Sequence, residues 1–144
     1  MRRNFTRGAA FLSIVLILLA CACKKGPGEG GHASISGKVF VMDFSVTDSL
    51  NNPFPPYFLQ DSYYSPGEDV FILYGDEQGI GEVVKTDYSG TYVFEFLRKG
   101  TYKIYMNSRD TSSPANTETY VIMRTVEISG RKEKVVLEDF VVNR

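Results

Sequence analysis

The sequence predicts an all-β fold, a seven-stranded antiparallel β-sandwich occupying residues 33–144. Three observations predict it. From residue 33 onward, short runs rich in Val, Ile, Tyr, Phe and Thr are separated by Gly, Asp, Asn and Ser, which is how successive strands and turns read in sequence. Within those runs apolar residues recur at every second position, and nowhere at helical spacing for more than a few residues. With 144 residues, 43% of them hydrophobic and 23% charged, the chain suffices for one core and lacks the composition of a disordered segment.

The first element is a targeting segment over residues 1–20. It carries Arg2, Arg3 and Arg7, then small residues, then the apolar run FLSIVLILL at 11–19, which are the charged and apolar regions of a secretory signal peptide. That run is shorter than the roughly 20 apolar residues a membrane-spanning helix needs. The context Leu18-Leu19-Ala20-Cys21 resembles the lipobox of bacterial lipoproteins, with an aliphatic residue three places before the modified cysteine and a small one just before it. The resemblance implies a lipidated Cys21, with Cys23 as the alternative, and a product held to a cell membrane by its acyl chains, each buried methylene contributing about 0.8 kcal/mol. No Asp follows either cysteine to suggest retention at the inner membrane, so the outer membrane, at its periplasmic face or the cell surface, is the expected location. A disulfide between the two is the competing reading in an oxidising compartment. Both cysteines lie here, so the domain must hold together by core packing.

Residues 21–32 are expected to be the lipidated cysteine and a flexible tether, because KKGPGEGGH at 24–32 is rich in Gly and charge and has no apolar periodicity. Without the leader, 13 basic residues face 17 acidic ones. That balance excludes nucleic acid as a partner, since phosphate binding needs a clustered positive field.

Strands are expected at residues 33–42, 69–74, 81–86, 91–97, 101–107, 119–128 and 134–142. In the first, Ile35, Gly37, Val39 and Val41 share one face. Alternation buries Tyr92, Phe94, Tyr102 and Ile104, with Leu97 capping the hairpin between them. The turn Asp87-Tyr88-Ser89-Gly90 has Asp where a carboxylate can accept local N–H groups and Gly where positive φ is needed.

The stretch TDYSGTYVFEFLRKGTY at 86–102 resembles the pattern T-D-x-x-G-x-Y-x-F-x-x-L-x-x-G-x-Y of carboxypeptidase regulatory-like domains and collagen-adhesin B-type repeats. The opening Ile35-Ser36-Gly37-Lys38-Val39 is similar to their first strand. The resemblance implies an Ig-like, prealbumin-like sandwich. Its residues are turns and core, so it implies no particular activity. Some B-type repeats carry a Lys–Asn crosslink, which raises Lys38 and Asn143. Lys38 alternates with the inward apolar set, and Phe40 and Met42 stand where the family's lysine normally lies, which argues against the bond.

Catalytic chemistry is sparse. The only histidine, His32, precedes the expected domain, so neither a Ser-His-Asp nor a Cys-His arrangement has a base within it. GDEQGIG at 75–81 has glycines but joins two strands instead of opening a helix, unlike a phosphate-binding fingerprint. The sequence therefore reads as a non-enzyme without cofactor. Asp76, Glu77 and Asp87 are weak calcium candidates, as loop acids that neighbouring strand ends would bring together.

The least ordinary segment is residues 43–68, which hold Pro53, Pro55, Pro56 and Pro66 with Phe54, Tyr57, Phe58, Tyr63 and Tyr64. Unstructured connections beyond about 12–15 residues are uncommon and often functional. Aromatics on such a loop offer rigid contact area to an envelope protein or a glycan. Alternatively, they fold over an open end or edge of the sandwich, extending its core and protecting an edge strand. The expected function is that of a membrane-anchored binding or accessory module of the cell envelope. A structural spacer without a small ligand, or a calcium-stabilised adhesin-like domain, is the alternative.

Overall fold

The computed structural model describes residues 26–46, 57–111 and 118–144. Among these residues there are nine strands in two sheets and no helix. In chain order they are β1 Glu29–Val46, β2 Tyr57–Tyr64, β3 Asp69–Tyr74, β4 Glu82–Lys85, β5 Thr91–Leu97, β6 Gly100–Arg109, β7 Thr119–Ile128, β8 Lys134–Val136 and β9 Phe140–Asn143. Cys21, Cys23 and Phe54 lie outside the described residues.

The first sheet is built on β1, which runs through it from end to end. One flank of β1 pairs antiparallel with β5, from Ala33↔Leu97 to Lys38↔Thr91, and then with β2, from Phe40↔Tyr64 to Val46↔Tyr57. The handover falls at Val39, whose N–H donates to the Gly90 carbonyl at 2.9 Å and whose carbonyl accepts from the Ser65 N–H at 3.1 Å. The other flank takes β8 against residues 34–36 and β9 against residues 39–42, both parallel. The second sheet is antiparallel in the order β4-β3-β6-β7.

Period-two burial joins the sheets into a sandwich. Ile35, Val39 and Val41 of β1, Val70 and Ile72 of β3, Tyr92, Phe94 and Leu97 of β5, Tyr102, Ile104 and Met106 of β6, and Phe140 and Val142 of β9 form one core. In β5 the alternation slips. Both Glu95 and Phe96 are exposed, and Phe96 has φ +57°. The slip sits opposite the register break between Ala33 and Ile35, and it turns Leu97 inward as a bulge does.

The motif at 86–102 is accounted for by turn and core geometry. Asp87 Oδ1 accepts the Ser89 hydroxyl at 2.7 Å and the N–H groups of Thr91 at 3.0 Å and Ser89 at 2.8 Å, and these bonds hold its carboxyl below the ordinary carboxylate range. Gly90 has φ +74°, and a Cβ there would stand 3.0 Å from the Val39 carbonyl oxygen, at the handover just described.

The structure corrects the sequence-based expectation at four places. β2 is an additional strand, because residues 57–64 pair antiparallel with residues 40–46 of an extended β1. The expected strand at 134–142 is two strands, β8 and β9, broken at residues 137–139. These two run parallel to β1, so the first sheet is mixed; alternation is the same in either direction and carries no information on it. Finally, Glu29–His32, expected as tether, belongs to β1. Arg98 holds the segment before it, its Nε donating to the Gly26 carbonyl at 2.8 Å and its Nη1 to that of Glu29. The Tyr102 hydroxyl accepts from the Gly28 N–H at 3.0 Å and donates to the Arg98 carbonyl at 2.7 Å.

Candidate functional site

The aromatics singled out in the sequence sit on the β1–β2 hairpin. Tyr57 and Phe58 pair with Val46 and Ser45, beyond a register shift between Asp43 and Phe44, while Tyr63 and Tyr64 pair with Val41 and Phe40. Seven of the eight β2 residues are exposed. Phe58 is 44% exposed, Leu59 47% and Tyr63 41%. These side chains do not extend the core, and the strand that carries them lies along the edge of β1. Leu59, which faces Phe44 in the register, is likewise exposed, and its place in a run without alternation gave no signal of it.

Tyr64 fixes the base of the hairpin. Its ring packs edge-on against Phe40 at 5.3 Å between centroids, and the Lys38 ammonium lies 4.8 Å from its centroid. Its hydroxyl donates to Asp139 Oδ2 at 2.8 Å. That bond and the carboxylate charge push the phenol above its ordinary range, since ionisation would set two negative charges together. Asp139 also accepts, through its backbone carbonyl, the Arg124 Nη2–H at 3.0 Å. Arg124 stands on β7 of the second sheet and lies over the Phe140 ring at 5.2 Å. A chain of contacts thus runs from β2 through residue 139 to the opposite sheet, giving the hairpin a rigid footing.

The calcium candidates are not brought together. Asp76 and Glu77 lie in the loop before β4 and Asp87 follows the opposite end of β4, roughly 13 Å of strand away at 3.3 Å per residue. Asp87 is committed to its turn, and Asp76 stands 3.8 Å from the Lys103 ammonium. Among the described residues no three His, Cys, Asp or Glu side chains form a group suited to a metal ion. Lys38 and Asn143 are likewise apart. Asn143 is in register with Met42, four residues along β1 from Lys38, and its side-chain amide donates to Thr111 Oγ1 at 3.1 Å.

No family model matches the chain, and no curated protein matches its sequence. Among solved structures, a proposed carbohydrate binding protein from Pseudomonas aeruginosa is similar at 14% identity and a TM-score of 0.40, over 87% of this chain and 94% of that one. At that similarity no property of that protein transfers to this chain.

Proposed function

We propose that the chain is a non-enzymatic, lipid-anchored binding module of the bacterial envelope, which presents the β1–β2 hairpin to a protein partner. In this reading residues 1–20 are removed, Cys21 carries the lipid with Cys23 as the alternative, the product resides at the outer membrane, and the sandwich is of the prealbumin-like class. The burial of Tyr92, Phe94, Leu97 and Tyr102, all positions of the resembling motif, supports that class.

The observation that carries the proposal is the exposure of β2 along nearly its whole length. Among the described residues β2 pairs with β1 alone, so its other edge offers main-chain donors and acceptors. An extended partner segment uses such an edge by adding a strand, with apolar side chains supplying specificity. A long exposed edge is otherwise a liability that proteins blunt with charge or cover, and β2 carries a single charge, Asp61, at its middle. Presentation follows from β1 itself. Its 18 residues span roughly 55 Å at about 3.3 Å per residue, with the segment leading from Cys21 at one end and the hairpin at the other.

The test is co-purification from solubilised envelopes with the lipidated chain and its triple variant Phe58→Ser, Leu59→Ser, Tyr63→Ser. The expected result is a stoichiometric protein that the variant loses while its melting temperature is unchanged. A glycan in place of the protein, or nothing lost, overturns the assignment, the latter in favour of a spacer.

A further inference from the structure

At the end of the domain opposite the hairpin is a cavity of about 340 Å³ lined by Gly30, Gly31, His32, Leu97, Arg98, Lys99 and Arg131. Among the described residues no carboxylate lines it. The register of β1 against β5 passes from Glu29 to Ala33 over the single residue Leu97, so Gly30, Gly31 and His32 loop out of the ladder. A Cβ at Gly31 would lie 1.9 Å from the Leu97 carbonyl oxygen, which requires glycine there and leaves that wall of the cavity bare. Arg98 is spent on the carbonyls of residues 26, 27 and 29. Lys99 and Arg131, from the β5–β6 and β7–β8 turns, remain exposed. The nearby acid, Glu133, hydrogen-bonds within its own loop, accepting the N–H groups of Ser129 at 2.9 Å and Gly130 at 2.6 Å, and its charge reaches Lys99 without a hydrogen bond or ion pair between them.

We infer that this cavity receives the phosphate of an anionic membrane lipid and sets the tilt of the domain on the bilayer. The inference rests on the proposed lipidation, which fixes the source of the phosphate. Gly26 is five residues from Cys21, at most about 18 Å of extended chain, so an acylated Cys21 holds this end against the headgroups. Charge on the remainder of the same end specifies the orientation. Glu29, Glu82 and Glu95 line a groove on its β4–β5 side, and Asp76 and Glu77 line another beside Pro27. An anionic surface attracts the Lys99–Arg131 quadrant and repels those two, so the domain leans on the first.

The test uses the mature chain from residue 21 with Cys21→Ser and Cys23→Ser, which retains every strand and carries no lipid, and compares it with the same chain bearing Lys99→Glu and Arg131→Glu. Sedimentation with mixed phosphatidylglycerol–phosphatidylcholine vesicles is expected to exceed that with pure phosphatidylcholine. A cation near an anionic surface is worth about fivefold in partition, so the double reversal should lower it at least ~20-fold. Roughly 1 M salt should abolish it, the screening length there being about 3 Å. Equal binding to both vesicles, binding indifferent to the reversals, or a melting shift with inorganic phosphate but no vesicle preference overturns the inference. Intact mass of the exported chain reports lipidation separately: a lipidated chain whose serine form ignores anionic vesicles sinks the cavity assignment alone. An unlipidated chain that binds them sinks the anchor alone.

Discussion

The Tyr92 hydroxyl lies 2.5 Å from where a Cβ on Gly37 would stand. Gly37 is an inward position of β1, in register with Tyr92 of β5, and its missing side chain is the space that the Tyr92 ring crosses to reach Phe140, 6.0 Å away between centroids. Gly37→Ala is therefore an overpacking substitution and should cost about 1–3 kcal/mol in urea denaturation. The Tyr92 hydroxyl is buried without a hydrogen-bond partner among the described residues. Tyr92→Phe should accordingly be neutral or stabilising, and should recover part of the Gly37→Ala loss. A double mutant as unstable as the sum of the singles would show that the two positions do not meet.

Phe94 is fully buried between the sheets, whereas Tyr88 is 98% exposed in the turn before β5. Phe94→Ala removes a ring from a core that no disulfide supports, and should cost about 3–5 kcal/mol. Tyr88→Ala should stay within about 0.5 kcal/mol. Equilibrium denaturation of both variants measures the contrast, and equal effects would contradict the burial pattern.

Two carboxylates, Asp87 and Glu133, are held below their ordinary range, mainly by hydrogen bonds from Ser89 and Thr91 and from Gly130 and Ser129. A carboxyl depressed in the folded state contributes stability above its unfolded value, near 3.9 for Asp and 4.3 for Glu. That contribution is lost as pH falls through the folded value. The variant Asp87→Asn, Glu133→Gln should therefore have a lower urea midpoint than wild type at neutral pH and converge with it in strong acid. Parallel curves across that range would remove the assignment.

Calcium should leave the melting temperature unchanged, because the acids on either side of β4 do not converge. Calorimetry with calcium added to the metal-free chain checks this; a saturable heat would require a site elsewhere in the chain.

Much of the fold was legible because period-two alternation is a direct imprint of burial. Tyr92, Phe94, Tyr102 and Ile104 could be assigned to the interior one by one, and Asp87 to its turn. The strand β2 was not legible, since YFLQDSYY is exposed on nearly every residue and so lacks the alternation that marks a half-buried strand. Neither was the start of β1: residues 26–32 read as flexible chain, and the contacts of Gly26 and Gly28 with Arg98 and Tyr102, some seventy residues away in sequence, carry no local signal. For the site, composition alone marked Tyr57, Phe58, Tyr63 and Tyr64. The cavity bounded by His32, Lys99 and Arg131 gathers residues from three separate turns and strands, and no local pattern announces it.

The most direct test of a module strung between membrane and partner is photo-crosslinking of the lipidated chain in native envelopes. A photoreactive residue is placed in turn at Phe58, Tyr63, Lys99 and Val83, the last being exposed on the outer face of the second sheet. The account predicts one discrete protein adduct from positions 58 and 63, phospholipid adducts from 99, and neither from 83. Lipid adducts at 58 and 63, or the same products at all four positions, would contradict it.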